Sequence, residues 1–240
     1  MRNKTTKFKI EIAGTVAEVD ALFESSKRIC KDYITDKPAE LSITITEDDI
    51  EKERYHSTID TPSVQNLEYM ALYRKLCTEL ASRDTVLVHG SCVSVDGQAY
   101  LFCAPSGTGK STHTRLWRNA LGGRAIMIND DKPLLRINDN YPMIYGSPWN
   151  GKHKLGNNVS ATLKAICFLE RGEINSIEKI SSEDALSLLL KYTFRPSDTV
   201  KTIAVLDTVT KLTELCNFWS LKCNMDQEAA QVSYIAMSTQ

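Results

Sequence analysis

Residues 104–111, which read APSGTGKS, combine the groups that bind phosphate. They fit the pattern Ala/Gly-x-x-x-x-Gly-Lys-Ser/Thr through Ala104, Gly109, Lys110 and Ser111. Glycines let backbone N–H groups turn inward, and the N-terminus of the following helix favours anions through its dipole. Lys110 can reach β- and γ-phosphates, and the Ser111 hydroxyl suits Mg²⁺. Since the match lies between a predicted strand and a predicted helix, it indicates a nucleotide-binding loop rather than a chance glycine-rich turn.

Two adjacent carboxylates, Asp130 and Asp131, follow the apolar residues 126–128 a short way along the chain. The apolar segment predicts a strand, and ligands of open α/β sheets bind at the carboxyl ends of strands. Carboxylates beside a phosphate can hold Mg²⁺ and accept a proton from an incoming hydroxyl. A surface turn before Lys132 and Pro133 is the simpler alternative. The spacing favours a phosphate-binding site over a surface turn. The chain between Lys110 and Asp130 has room for one helix and one strand, which bring the acids back beside the loop.

Composition excludes several classes of protein. The 240 residues are 42% hydrophobic and 25% charged, which is typical of a globular protein with a sizeable core. The net charge of −1 gives no global field for nucleic acid or an anionic membrane, and no apolar stretch nears the ~20 residues that span a bilayer. Seven cysteines without a C-x-x-C pair argue against disulfides and a thiolate zinc site. With no apolar segment in residues 1–14 to act as a signal peptide, we expect a reducing cytoplasm.

Hydrophobic periodicity and turn residues predict alternating strands and helices. The predicted strands are 8–13, 41–46, 85–95, 99–103, 125–128, 134–137, 142–145, 163–169 and 220–223. The predicted helices are 16–30, 62–82, 111–121, 181–192, 200–218 and 226–237, with a strand at 205–209 as an alternative. Residues 47–60 read as an acidic loop or exposed edge, and Asp96-Gly97 and Asn138-Asp139-Asn140 as hairpin turns. Ser181 is the predicted N-cap of the helix that it begins. Residues 146–159, rich in glycine, asparagine and basic side chains, predict a long functional loop.

Three of these features together resemble the HPr kinase/phosphorylase family: the segment APSGTGKST, the preceding His89-Gly90, and the closely following Asn129-Asp130-Asp131. Phosphoenolpyruvate carboxykinases have a similar SGTGK loop and a similar Asp-Asp. The segment GSPWNGK and the strand ending Leu169-Glu170-Arg171-Gly172 resemble small bacterial HPr-kinase-like proteins. The resemblance implies an α/β fold with a P-loop core of the HPr kinase/phosphoenolpyruvate carboxykinase type, a mixed sheet with flanking helices. We expect a single α/β domain over residues 1–240, with 83–240 as the kinase-like core. Residues 1–82 could form an N-terminal subdomain, or their strands could extend the main sheet.

The resemblance also implies roles for individual residues. The nucleotide phosphates would be bound by Ser106, Gly107, Thr108, Gly109, Lys110, Ser111 and Thr112. Asp130 would be the general base, with Lys110 and His89 as further catalytic residues, while Asp131 and Ser111 would hold the metal. The assignment between the two acids stays open. A histidine that only packs in the sheet is the alternative for His89.

Four further groups have competing interpretations. We expect a structural or base-side role for His113 and a surface position for Arg195, with stabilisation of phosphate charge as its alternative. Trp149 could be simple packing, and Lys152 and His153 could close over an acceptor or over phosphate.

The predicted function is an ATP- and Mg²⁺-dependent phosphotransferase that moves the γ-phosphate to a hydroxyl group, either a serine of a protein or peptide or a small molecule. The sequence has no N-K-x-D motif and no H-R-D and D-F-G set, which argues against GTPases and protein kinases. A carboxykinase-like enzyme acting on a small carboxylate and a non-catalytic nucleotide-binding module are the alternatives. HPr-kinase relatives are often oligomers, so the resemblance also implies a homo-oligomer.

Overall fold

The computed structural model describes residues 5–57 and 60–239, and shows a mixed α/β fold with two sheets. Residues 58 and 59 of the predicted 47–60 loop, and residues 1–4 of the N-terminal segment, lie outside the described ranges. The first sheet has three strands, β1 (Thr6–Ile12), β2 (Thr15–Ala21) and β3 (Leu41–Thr44). These strands form a sheet of their own and do not extend the larger one. The division of the chain into domains stays a prediction.

Three helices accompany the small sheet: α1 (Glu24–Ile29), α2 (Glu47–His56) and α3 (Val64–Leu80). The apolar face of α3 packs on the small sheet, and Leu87, Leu134 and Trp149 of the larger half join the same core. The carboxylate of Glu68 on α3 is buried and accepts hydrogen bonds from the backbone N–H groups of Leu22 and Phe23, which precede α1. These bonds hold α3 to the small sheet, and the shared apolar core joins both to the half that carries the predicted site.

Within the described residues, the larger sheet contains nine strands. They are β4 (Thr85–Leu87), β5 (Ser91–Val95), β6 (Gln98–Cys103), β7 (Ala125–Asn129), β8 (Leu134–Asn138), β9 (Tyr141–Tyr145), β10 (Ser160–Arg171), β11 (Ser176–Lys179) and β12 (Asn217–Cys223). The order is β4-β8-β9-β10-β6-β5-β7, while β12 pairs with β10 and β11. The β6, β10 and β12 strands are parallel, and the other pairs are antiparallel.

Both faces of this sheet are covered by helices. In β6, Leu101 and Cys103 belong to the core under α5 (Ser182–Tyr192) and α6 (Thr199–Leu215). The alternate residues Tyr100 and Phe102 belong to the core under α4 (Lys110–Leu121) and α7 (Gln227–Ser238). Since side chains in a strand alternate between faces, a strand buried on both sides reads as a continuous apolar run. None of the helices within the described ranges is long and apolar enough to cross a membrane.

The large sheet curls so that its two ends meet. Strands β4 and β7 are first and last in the order, yet the linker between β4 and β5 lies beside the linker between β7 and β8. Val88 N–H donates to Pro133 O at 3.2 Å, and Gly90 N–H donates to Asp131 O at 3.1 Å. A Cβ at Gly90 would lie 2.6 Å from Leu101 Cδ1 and 3.0 Å from Phe102 O, so this glycine lets the β4–β5 linker pack closely on β6. The curl brings His89 to the two acids.

Several sequence predictions are wrong in detail. Residues 16–21 are not the start of a helix but strand β2, because a turn at Ala13-Gly14, with φ of 47° and 70°, folds them back onto β1. Residues 47–56 are not a loop but helix α2, whose first turn is capped reciprocally by Thr46 and Asp49. Acidic residues stabilise this end of a helix.

Residues 85–95 are two strands rather than one, and residues 205–209 are helical. Residues 217 and 218, predicted as helix, begin β12, and β11 was not predicted. The remaining predicted strands and helices, the Asp96-Gly97 turn and the 146–159 loop lie where expected, within three residues at their ends.

Candidate functional site

The 104–111 loop links the end of β6 to the start of α4. Gly107 and Gly109 have φ of 80° and 126°, a backbone region that other residues rarely adopt. Gly109 precedes the first turn of α4, which within the described chain has no side-chain cap. The first N–H groups of a helix have no partner within it, so this end presents free donors to an anion.

Lys110 lies inside the bend of the loop. Its side chain is buried, and Nζ donates to Ala104 O at 2.8 Å and to Pro105 O at 3.3 Å. Burial lowers the pKa of the ammonium group. A positive charge is thus held beneath the N-terminus of α4.

A chain of hydroxyl groups connects α4 to Asp130. Ser91 Oγ donates to Asp130 Oδ1 at 2.7 Å, and Ser91 Oγ and Thr114 Oγ1 are 2.9 Å apart. Because the single proton of Ser91 goes to the carboxylate, a hydrogen bond between the two hydroxyls uses the proton of Thr114, for which Lys110 O and Ser111 O, each 3.3 Å away, are competing acceptors. Asp130 is only 5% exposed. Its Oδ1 is therefore oriented by β5 and by the helix that follows the loop.

Asn129 shapes the turn that carries the acids. Its Oδ1 accepts the backbone N–H groups of Asp131 at 2.8 Å and Lys132 at 2.7 Å. Its Nδ2 donates to Ser147 O at 3.1 Å and Oγ at 3.2 Å. Sequence reasoning assigned Asn129 no role, although an asparagine that caps its own backbone two residues on is a known turn signal.

Asp131 faces two cationic or titratable neighbours. Lys132 Nζ donates to Asp131 Oδ2, and His89 Nε2 lies 3.5 Å from Asp131 Oδ1. Burial and the nearby Lys110 lower the pKa of His89, which disfavours the charged form of its imidazole. Both acids and His89 thus lie at the junction of the two linkers.

These groups border one cavity of about 700 Å³, which we call the first cavity. Its wall includes His89, Asp130, Asp131 and residues 150–154, together with all of the predicted phosphate-binding residues except Thr108. A Cβ at Gly151 would lie 3.0 Å from Asp130 O, so this glycine allows the 146–159 loop to approach the acid closely. Lys152, His153 and Lys154 make this side basic. Within the described residues, no arginine borders the first cavity.

The 146–159 loop is anchored at both ends of its path. Trp149 is fully buried, packs against Tyr69 and Tyr73, and donates from Nε1 to Tyr69 O at 3.3 Å. Asn157 Nδ2 donates to Met127 O at 2.8 Å. Trp149 is therefore a packing residue, whereas Lys152 and His153 face the first cavity.

Two other predicted residues lie elsewhere. His113 is buried, with Nε2 3.0 Å from Ser233 Oγ and 3.2 Å from the donor Trp117 Nε1. Arg195 borders a separate cavity next to α2 and α3. The first cavity thus excludes both side chains.

Arg171, at the end of β10, has a contact that sequence reasoning did not assign. Its Nη2 donates to Gly107 O at 2.6 Å and its Nε to Thr108 O at 3.4 Å. Beside it lies a second cavity of about 520 Å³, between the 104–111 loop and the ends of β10 and β12. Thr108 borders this second cavity.

Among the solved structures that the chain is similar to is the HPr(Ser) kinase/phosphatase from Coxiella burnetii. It is 12% identical, the alignment covers 53% of this chain and 97% of that chain, and the TM-score is 0.31. No protein-family model and no curated protein sequence matches the chain. A likeness this low carries no argument about function. The class of the protein, a mixed α/β fold with a curled mixed sheet and flanking helices, rests on its own strands and helices.

Proposed function

We propose that the protein is an ATP-dependent phosphotransferase that moves the γ-phosphate to a hydroxyl group of a protein, a peptide or a small molecule. The observation that carries the proposal is that the 104–111 loop, the two acids and the basic 150–154 segment border one cavity. Anion-binding donors, a candidate base and a wall for the acceptor are the parts that phosphoryl transfer needs.

The phosphates of ATP would bind the N–H groups of the loop and the first turn of α4. Lys110 would then exchange its bonds to Ala104 O and Pro105 O for β- and γ-phosphate oxygens. The backbone N–H groups and the Lys110 ammonium group are then in place before the reaction begins. They stabilise the negative charge of the transferred phosphoryl group without having to move as the reaction proceeds.

Asp130 is the better placed base of the two acids. Its Oδ1 is held by Ser91, while a Cβ at Gly151 would lie 3.4 Å from Oδ2, so Oδ2 is the oxygen toward the 146–159 loop. The acceptor oxygen attacks the γ-phosphorus, the bond from that phosphorus to the β-phosphate oxygen breaks, and the acceptor proton passes to Asp130. The oxygens of Asp131 are engaged by Lys132 and lie near His89, so this acid is less free to take up the acceptor proton, and we assign it to the metal side.

Magnesium fits this donor set. Within residues 5–57 and 60–239, no group of three or more His, Cys, Asp and Glu side chains could hold a metal ion. Mg²⁺ is usually held by one or two carboxylates plus substrate phosphates and water. Ser111 and Asp131 are the residues that would hold it, and the ion would supply neutralisation of phosphate charge.

The test is transfer of radiolabelled γ-phosphate to the proteins, peptides and metabolites of the source cell. Lys110→Ala should abolish transfer. Asp130→Asn should keep ATP binding and lower turnover by about 10²- to 10⁴-fold, because it removes general-base catalysis. Lys191→Ala and Asp207→Asn, which change exposed residues on α5 and α6, are the matched controls.

The outcomes separate the alternatives. Transfer by Lys110→Ala at the wild-type rate would refute the assignment of the loop. Loss of ATP binding in Asp130→Asn would give Asp130 a metal role instead. Tight ATP binding without transfer to any acceptor would favour the non-catalytic module. The carboxykinase alternative needs an arginine-rich pocket, which the described wall of the first cavity lacks.

A further inference from the structure

A third cavity, of about 770 Å³, lies where the small sheet meets α2 and α3, and Arg195 is on its rim. One part of its wall is strand β3, through residues 42–44, and another is α3, through residues 74, 75, 78 and 79. The volume is within the range of ~300–1,000 Å³ that ligand sites occupy. The surface between β3 and α3 is therefore a groove that can seat a ligand.

Strand β3 presents a free edge to this groove. It is the last strand of the small sheet and, within the described residues, pairs with β2 alone. Ile45 N–H donates to Asp20 O of β2 at 2.9 Å. Because main-chain groups alternate between the two sides of a strand, those of Ser42 and Thr44 point away from β2. The Lys75 ammonium group donates to Thr44 O on this outer side at 2.9 Å. An edge of this kind is a template for a further strand.

The charges around the third cavity favour an acidic occupant. Both carboxylates of its wall, Glu53 and Glu79, are already engaged in ion pairs, each at 3.0 Å. Lys52 and Arg195 are exposed on the same wall and come from separate parts of the chain. In the part of the chain that the structure describes, neither of these two cations has an ion pair. Two carboxylates of a bound molecule would complement them.

The third cavity is also close to the first. The segment after α5 runs beside the β4–β5 linker, where His89 N–H donates to Tyr192 O at 2.7 Å and Phe194 N–H to Leu87 O at 2.9 Å. His89 borders the first cavity, and Arg195 borders the third. From Tyr192 to Arg195 the extended chain spans roughly 10 Å. A bound segment would need only a few further residues to cover the same distance.

We propose that the third cavity docks an extended acidic peptide, which adds as a further strand to the free edge of β3 while its carboxylates bind Lys52 and Arg195. In strand addition the main chain supplies affinity, and side-chain contacts supply specificity. A small anion would satisfy the two cations but not the main-chain groups of β3. This inference goes beyond the proposed function, because docking of the peptide does not depend on phosphate transfer.

The experiment measures the binding of fluorescein-labelled decapeptides to the full chain by fluorescence anisotropy, without nucleotide. The probe alternates glutamate with valine. One control peptide has lysine in place of glutamate. The other has proline in place of valine, which keeps the charge but removes N–H donors that a strand needs. The probe should bind at least about 10-fold more tightly than either control peptide.

Variants of the protein test the two cations. Lys52→Ala combined with Arg195→Ala should weaken binding of the probe by about 3- to 10-fold, because an exposed ion pair contributes a factor of roughly 1.4 to 5. The matched control combines Lys31→Ala with Lys191→Ala, which removes two exposed lysines outside the third cavity and should leave the affinity unchanged.

Amide hydrogen exchange tests the edge of β3 directly. With the probe bound, the N–H groups of Ser42 and Thr44 should exchange at least about 10-fold more slowly. Unchanged exchange there, or equal binding of the probe and the proline peptide, would overturn strand addition and leave an anion site only. Equal affinities of the two double variants would overturn the role of the cations. Failure of the proposed function is distinguishable, because Lys110→Ala should bind the probe as tightly as wild type whether or not the protein transfers phosphate.

Discussion

Replacing Asn129 by alanine should destabilise the protein and displace the two acids. Asn129 is fully buried and makes four hydrogen bonds of 2.7 to 3.2 Å, two to the backbone N–H groups of Asp131 and Lys132 and two to Ser147. Each such bond contributes about 0.5–1.5 kcal/mol net, and the contributions overlap because all four depend on one side chain. We expect Asn129→Ala to lower the free energy of unfolding by about 2–4 kcal/mol.

The assay is equilibrium unfolding in urea, followed by circular dichroism, with phosphate transfer measured in parallel. Asn158→Ala is the control, because Asn158 is exposed and its side chain makes one bond, to Asp32 O at 2.7 Å. That change should cost less than about 1 kcal/mol. Asn129→Asp keeps the acceptor oxygen but loses both donor bonds and adds a buried charge, so it should also destabilise. A loss below about 1 kcal/mol for Asn129→Ala would refute the view that this side chain holds the acid turn.

Three further predictions concern the loop, a buried histidine and the metal. Gly109→Ala should lower the free energy of unfolding by about 1–3 kcal/mol and weaken nucleotide binding, because φ at this position is 126°. Gly123→Ala, at an ordinary φ, should have neither effect, and equal melting temperatures of the two variants would contradict this prediction. Burial lowers the pKa of His113 to about 4, so the folded protein loses stability as the pH falls from 6.5 toward 4, where the unfolded chain takes up the proton first. His113→Phe should remove up to about 3 kcal/mol of this pH dependence, measured by unfolding in urea at several pH values. The control variant His56→Gln should leave the pH dependence unchanged. Chelation of divalent cations should stop transfer and added Mg²⁺ should restore it; transfer in excess chelator would exclude the metal.

Local sequence signals predicted much of the fold. The Asp96-Gly97 turn and the Asn138-Asp139-Asn140 turn lie where their residues allow positive φ, at 50° and 81° in the first and at 45° and 68° for Asp139 and Asn140. Ser181 caps α5 as its position before an amphipathic segment indicates. Signals of this kind act within a few residues, so they are readable without knowledge of the fold.

The errors arose where distant partners decide the structure. The apolar spacing of residues 16–21 fits a helix, but pairing with β1 and β3 makes them a strand. The apolar run 85–95 reads as one strand, yet Val88 and Gly90 leave it to bond with residues 131–133. Pairing of this kind depends on which segments meet, and no local pattern records it.

The candidate site divides in the same way. Residues 104–111 and the acids 130 and 131 are recognisable from the sequence, because phosphate-binding backbone geometry demands glycines, lysine and a hydroxyl at fixed spacing. The tertiary structure alone decided that Ser91 orients Asp130, that His89 reaches Asp131 and that Arg171 holds the loop carbonyls. Those contacts exist because the sheet curls until its two ends meet, and because β10 ends beside the loop that follows β6.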